Sequence, residues 1–233
     1  MSAPNSPAAG NSHLLELTYE ALRVAHRAAT AAAEGVATSA RALLEEVREH
    51  ERALDSLDRD IDDLVTTTIT HVGDEEARLL LACMKFGISL ERIGDLLLSF
   101  ANRAETAAAS FAPEDVRDFT AMGSQLEKML GDVETAFRDR SLDKAVSVLR
   151  ADSEIDRLRN IITFRHLEPE DGLRRPDSFH VLCMAQELER AGDHAKNMAE
   201  EVCHLVSGRT VRHVLRAHDR PAEQLLLEQA DGR

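Results

Sequence analysis

Tryptophan is absent from this chain and tyrosine occurs once. β-Branched residues are also sparse, so the residue types that favour pleated strands are in short supply. Proline occupies only six positions and glycine eleven of 233. So few breakers leave room for long helices and point to an all-α chain. No stretch is rich enough in lysine and arginine to track a phosphate backbone, and the net charge is −14, which excludes direct binding of nucleic acid as a main role. The three cysteines, Cys83, Cys183 and Cys203, make an odd number with no C-x-x-C pair. They fall in apolar helical runs and read as small core residues in a reducing cytoplasm. The longest apolar run, Leu79–Met84, is far short of the ~20 residues that span a bilayer. Met1–Asn11 has neither a basic n-region nor an apolar h-region, so it reads as a disordered leader and not as a signal peptide. A cytoplasmic protein without membrane insertion is expected, any membrane role coming through a partner. There is no glycine-rich phosphate loop, nucleophile elbow or Cys/His pair at catalytic spacing, and no enzyme is expected.

What is present is alanine, leucine, glutamate and arginine in helical periodicity. Six helices are predicted, over about Ser12–Ala33, Thr38–Thr70, Glu75–Ala109, Pro113–Arg138, Ser141–Arg165 and Asp177–Val206. The first is expected to break near Gly35. Gly73 and Asp74 look like a C-cap followed by a helix start. Pro113 sits at an allowed first-turn position, with Glu114 and Asp115 suiting the positive end of the helix dipole. Pro169, Gly172 and Pro176 mark a loop before the sixth helix. The apolar registers repeat. Leu90, Ile93, Leu97, Phe100 and Ala104 of helix three recur as Leu188, Ala191, Ala195, Met198 and Val202 of helix six; Leu54, Leu57 and Ile61 of helix two recur as Ile155, Leu158 and Ile162 of helix five. This is an internal duplication of a three-helix unit. Residues 12–111 and 112–214 form the two units, packed end to end or side by side, and 215–233 a polar tail with one apolar patch, Leu225–Leu227.

Within each copy stand two acid-x-x-x-acid pairs: Glu51/Asp55 and Glu91/Asp95 in the first, Asp152/Asp156 and Glu189/Asp193 in the second. Residues four apart on a helix share a face with Cβ atoms roughly 5–6 Å apart, so each pair sets two carboxylates in mutual repulsion. Antiparallel packing of the paired helices brings four carboxylates to one seam, where they cannot all stay ionised without compensation. A cation held by oxygen ligands, Mg, Mn, Fe or Zn, is one solution. The competing reading pairs the acids with Arg92, Arg190, Arg52 or Arg157, or turns them to water. Two rival sites fail on spacing. Asp58-Arg-Asp60-Ile-Asp62 opens like a calcium loop, but Asp63 stands at the required glycine and Ile69 at the closing glutamate, leaving a solvated helix face. Glu201-x-x-His204 is a di-iron spacing without a counterpart in the first copy. His194, directly after the second motif, reads as a surface histidine, with a supporting role at a metal as the alternative.

The phrases Glu91-Arg-Ile-Gly-Asp95, Glu189-Arg-Ala-Gly-Asp193 followed by His194-Ala-Lys-Asn197-Met-Ala-Glu200, and the closing Ser207-Gly-Arg-Thr-Val-Arg-His-Val214 closely resemble the PhoU family. The run from Met129 through Leu142-Asp-Lys-Ala-Val into Asp152-x-x-x-Asp156 resembles the start of that family's second repeat, so the likeness spans Ser12 to Val214. It implies two tandem three-helix bundles related by pseudo-twofold symmetry, homodimerisation, and metal on the acidic faces. Glu51, Asp55, Glu91 and Asp95 would be the ligands of one site, and Asp152, Asp156, Glu189 and Asp193 those of the other. It implies negative regulation of phosphate uptake through two partners: the ATPase subunit of an ATP-binding-cassette (ABC) phosphate transporter and the histidine kinase of the phosphate-starvation response. The alternative is a helical scaffold with solvated acids and a partner unrelated to phosphate.

Overall fold

The computed structural model describes the backbone of residues 7–107, 111–168 and 177–207, with side chains from residue 12 onward in those spans. Its elements are α1 (Pro7–Thr38), α2 (Arg41–Thr68), a 3-10 turn (Ile69–His71), α3 (Asp74–Ala107), α4 (Pro113–Asp139), α5 (Leu142–Leu167) and α6 (Ser178–Ser207). The loop with Pro169, Gly172 and Pro176, the closing stretch to Val214 and the tail with Leu225–Leu227 lie outside the described residues.

Helices α1, α2 and α3 pack on one another, and so do α4, α5 and α6. The units are then joined by α1 against α4 and α3 against α6. Each joining contact maps onto itself when the units are exchanged, which is what a pseudo-twofold requires. The units therefore lie side by side and share one core. Phe86 of α3 stacks on Phe137 of α4 with ring centroids 4.7 Å apart, and Phe100 of α3 meets Phe119 of α4 edge-on at 5.7 Å. Helix α1 reaches its neighbours closely because its inner face is alanine: Ala21, Ala25, Ala28, Ala29 and Ala32 are all buried. Cys83 and Cys203 are buried and Cys183 half-buried, all as free thiols. Burial pushes the Cys83 and Cys203 thiols up to about 11 and about 12, so both stay protonated and unreactive at neutral pH.

Three local expectations change. Helix α1 starts at Pro7, inside the expected leader, and runs through Gly35 instead of breaking there. A single interior glycine costs about 0.5–1 kcal/mol, less than burying the flanking alanine and valine face contributes. The break comes at Ser39, which takes a left-handed φ of 56°. There the Ala40 N–H donates to the Gly35 carbonyl (3.0 Å) and the Ser39 N–H to that of Val36 (3.4 Å), a Schellman closure with serine where glycine is usual. The same left-handed stop recurs 101 residues later at Arg140, φ 52°, between α4 and α5. Finally, Gly73 does not cap α2. Its carbonyl accepts from the Ala77 N–H (2.9 Å), so it opens α3, while the 3-10 turn closes α2.

Candidate functional site

Helices α2 and α3 carry the first seam, α5 and α6 the second. The glycine of each repeated motif lies at the crossing. A Cβ on Gly94 would come within 2.8 Å of Leu54 Cδ1 and 3.6 Å of the Glu51 Cα; one on Gly192 would come within 2.9 Å of Ile155 Cδ1. A side chain at either glycine would have to displace the tip of Leu54 or Ile155, so glycine favours this close approach of the acid-bearing helices. The motif's glycine is therefore part of the site's construction.

At the first seam Glu51 and Glu91 are half-buried, while Asp55 and Asp95 are exposed. Burial raises the Glu51 carboxyl above its ordinary range, and repulsion from Asp95 and Asp55 adds to it. Glu91 is raised by burial, then by Asp95, with Asp58 and Asp55 also contributing and Arg92 opposing. Asp58 belongs to this group. It is half-buried, and its carboxyl is raised by burial and by Asp62 and Asp55. The solvated-face reading holds for the exposed Asp60, Asp62 and Asp63 but not for Asp58. The resident cations stay on their own helices: Arg59 pairs with Asp55 at 2.8 Å, and Arg92 with Asp95 at 3.2 Å and Glu91 at 3.4 Å.

At the second seam Asp152 is buried, Asp156 and Glu189 are half-buried and Asp193 is exposed. Burial raises the Asp152 carboxyl, the Lys196 ammonium opposes, and Asp156 and Asp193 raise it further. Lys196 donates directly to Asp152 Oδ2. Glu189 is raised by burial and Asp193, with Arg159 opposing from 3.6 Å. The amide of Gln186 also donates to Glu189. Of the arginines offered as alternative partners, Arg92 is on the acids; Arg157 pairs with Glu154 instead, at 2.6 Å.

The donor set is oxygen-only, which suits a hard or borderline cation. Among the described residues, however, no three His, Cys, Asp or Glu side chains are gathered as a metal ion would require. In the first seam the arginines paired with Asp55 and Asp95 are more than half exposed. Such pairs are worth only about 0–1 kcal/mol, so an entering cation displaces them at little cost. The donors of the first seam suit a metal by their chemistry and would have to turn toward one another to hold it; Asp152 and Glu189 of the second are already partnered across the seam.

Other titratable groups are satisfied elsewhere. Glu201 accepts from Lys85 at 2.7 Å and lies 3.3 Å from His204 Nδ1. Its spacing thus makes a surface ion cluster. His194 is half-buried in a groove of about 370 Å³ between α3 and α6, and burial and Arg190 depress its pKa. A buried network missed by sequence reasoning closes one pole of the second unit. Arg165 donates to Asp115 Oδ1 at 2.6 Å and also to Asp118 Oδ2. His166 lies 3.1 Å from Asp115 and 3.0 Å from the Ser178 hydroxyl. This hydroxyl–imidazole–carboxylate line has an imidazole only 1% exposed, so it ties α4, α5 and α6 together and offers no room for a substrate.

Two matches to the PhoU domain model cover residues 18–104 and 119–202. The chain is 32% identical over 180 residues to the phosphate-specific transport system accessory protein PhoU homolog of Pseudomonas aeruginosa, covering 74% of this chain and 73% of that one. It is 27% identical over 199 residues to PhoU homolog 1 of Thermotoga maritima, covering 82% and 85%. The crystal structure of PhoU from Pseudomonas aeruginosa superposes with a TM-score of 0.80 at 25% identity, covering 88% of this chain and all of that one. The phosphate transport system regulatory protein PhoU of Streptococcus pneumoniae, at 20% identity, shares the fold with the same TM-score of 0.80. With both units matched and the relatives spanned over most of their length, the chain belongs to the PhoU family.

Proposed function

We propose that this protein is an accessory regulator of phosphate uptake, a non-catalytic cytoplasmic adaptor that binds metal ions at its acidic seams. It restrains a phosphate ABC transporter through the ATPase subunit, and the starvation response through the histidine kinase, acting as a homodimer. The observation that carries the phosphate role is the set of relatives named as phosphate-specific transport system accessory proteins. The metal role is supported by the repeated acid pairs that flank the close helix crossings at Gly94 and Gly192. No helix among the described residues is long and apolar enough to cross a membrane.

Deleting the gene is expected to derepress starvation genes and phosphate uptake under phosphate-replete growth. Unchanged uptake and expression would favour the helical scaffold instead. Metal content is expected to fall in the Asp95→Asn/Asp193→Asn protein purified without chelator; equal metal in both proteins would remove the seams as metal sites.

A further inference from the structure

The two seams are copies, and at two aligned positions an acid or an apolar residue of the first becomes a cation that meets an acid across the second. Along α2 and α5 the register is 101 residues, which carries Glu51 to Asp152, Asp55 to Asp156 and Asp58 to Arg159. Along α3 and α6 it is 98, which carries Glu91 to Glu189, Asp95 to Asp193 and Leu98 to Lys196. Both exchanges place a cation in the second seam. Both cations then cross it, in opposite directions: Lys196 of α6 reaches Asp152 of α5, and Arg159 of α5 reaches Glu189 of α6. At the acid pairs of the first seam, among the described residues, no ion pair crosses from α2 to α3; the crossing pair Arg48–Glu105, at 2.8 Å, lies one turn before Glu51 and engages none of these acids. Arg59 and Arg92 sit on acids of their own helix, one to four residues away, and are more than half exposed. The first seam thus sets five carboxylates, Asp58 included, with no cation paired across from one helix to the other; Arg92 of α3 acts on Asp58 of α2 only through its field. The second sets four with two cations already between them.

We infer that Lys196 and Arg159 are tethered cations standing where the first seam takes its metal, so that the chain loads metal at the first seam and holds the second closed with its own side chains. This rests on the metal reading above and divides it between the seams. A cation entering the second seam must break the Lys196–Asp152 bond, whose carboxylate is only 8% exposed, and leave a half-buried ammonium without a partner. That loss is much larger than releasing an exposed arginine. Fewer uncompensated ligand charges also weaken cation binding directly.

The test titrates metal-free, full-length protein with Mn²⁺ by calorimetry and counts the metal retained after gel filtration. Wild type is expected to show one class of tight sites. Writing the second seam into the first, with Asp58→Arg/Leu98→Lys, weakens that class by at least about tenfold, as expected from reversing the ligand charge balance. Writing the first into the second, with Arg159→Asp/Lys196→Leu, doubles the tightly held metal. Lys196→Met, which keeps the side chain's bulk, must move retention in the same direction as the double change, and circular dichroism confirms that each variant is folded. Equal filling of both seams in wild type, with retention unaltered by Arg159→Asp/Lys196→Leu, overturns the inference and leaves the metal reading standing. Absence of Mn²⁺ binding in every variant, the opened second seam included, overturns the metal reading and the inference with it.

Discussion

The first unit closes one pole with hydrocarbon; the second closes the same pole with ions. Leu14, Leu17, Leu64 and Val65 lie 101 residues before Asp115, Asp118, Arg165 and His166. Leu14 and Val65 are as buried as their polar counterparts. At the seams both units are charged, but only the second has acids of its pairs joined to cations across the helices. One backbone thus tolerates both solutions at each place. What decides is whether every buried charge finds a partner, because unpaired it would cost several kcal/mol.

The largest effect expected from breaking this comparison comes from Arg165→Met. It strips Asp115 and Asp118 of their cation and should cost about 3–5 kcal/mol of unfolding free energy in a denaturant titration. A loss below 1 kcal/mol would mean the ionic pole is as undemanding as the apolar one. Copying the first unit's residues into the second, with Asp115→Leu/Asp118→Leu/Arg165→Leu/His166→Val, is expected to be neutral or to stabilise by about 1–4 kcal/mol, since well-packed hydrocarbon commonly matches a buried ion cluster.

The same pair of proteins should differ in acid. Burial alone would raise the Asp115 carboxyl, but His166 and Arg165 outweigh it and hold the pKa below the ordinary value. A depressed folded-state pKa gives stability that is complete above the unfolded value, about 3.9, and is lost as the pH falls through the folded one. Wild type should therefore lose melting temperature below about pH 4 more steeply than the apolar-pole variant. Parallel curves would count against the network's charge.

Smaller effects test what the units share. Gly94→Val and Gly192→Val are each expected to cost about 1–3 kcal/mol by forcing the crossings apart. A cost at only one of them would mean the seams are not built alike. Ser39→Gly and Arg140→Gly relieve left-handed strain of about 1–2 kcal/mol while adding glycine's extra chain entropy, for a net gain of up to about 1 kcal/mol each in thermal melts.

The helix count, the duplication and the acid pairs were legible because they depend on periodicity, which a sequence displays directly. Asp58 was hidden because its neighbours Asp60, Asp62 and Asp63 are solvated, and spacing alone does not separate one half-buried acid from three exposed ones. Asp115 passed as a helix-dipole residue, since nothing local announces that Arg165, fifty positions on, turns toward it. Propensity marks Gly35 as a breaker because it carries no knowledge of the partners that α1 packs against. Lys196 and Arg159 were readable in principle. They show as departures from the repeat, at Leu98 and Asp58, once the two registers are written one above the other.

The self-mapping contacts of α1 with α4 and α3 with α6 give the chain the geometry of a homodimer whose subunits have been joined end to end. In a true homodimer any substitution at one seam appears at the other, and a lysine that closes one site closes both. Joining the copies in a single polypeptide lifts that constraint. Because the two halves are encoded separately, one seam can keep its charge open while the other is locked.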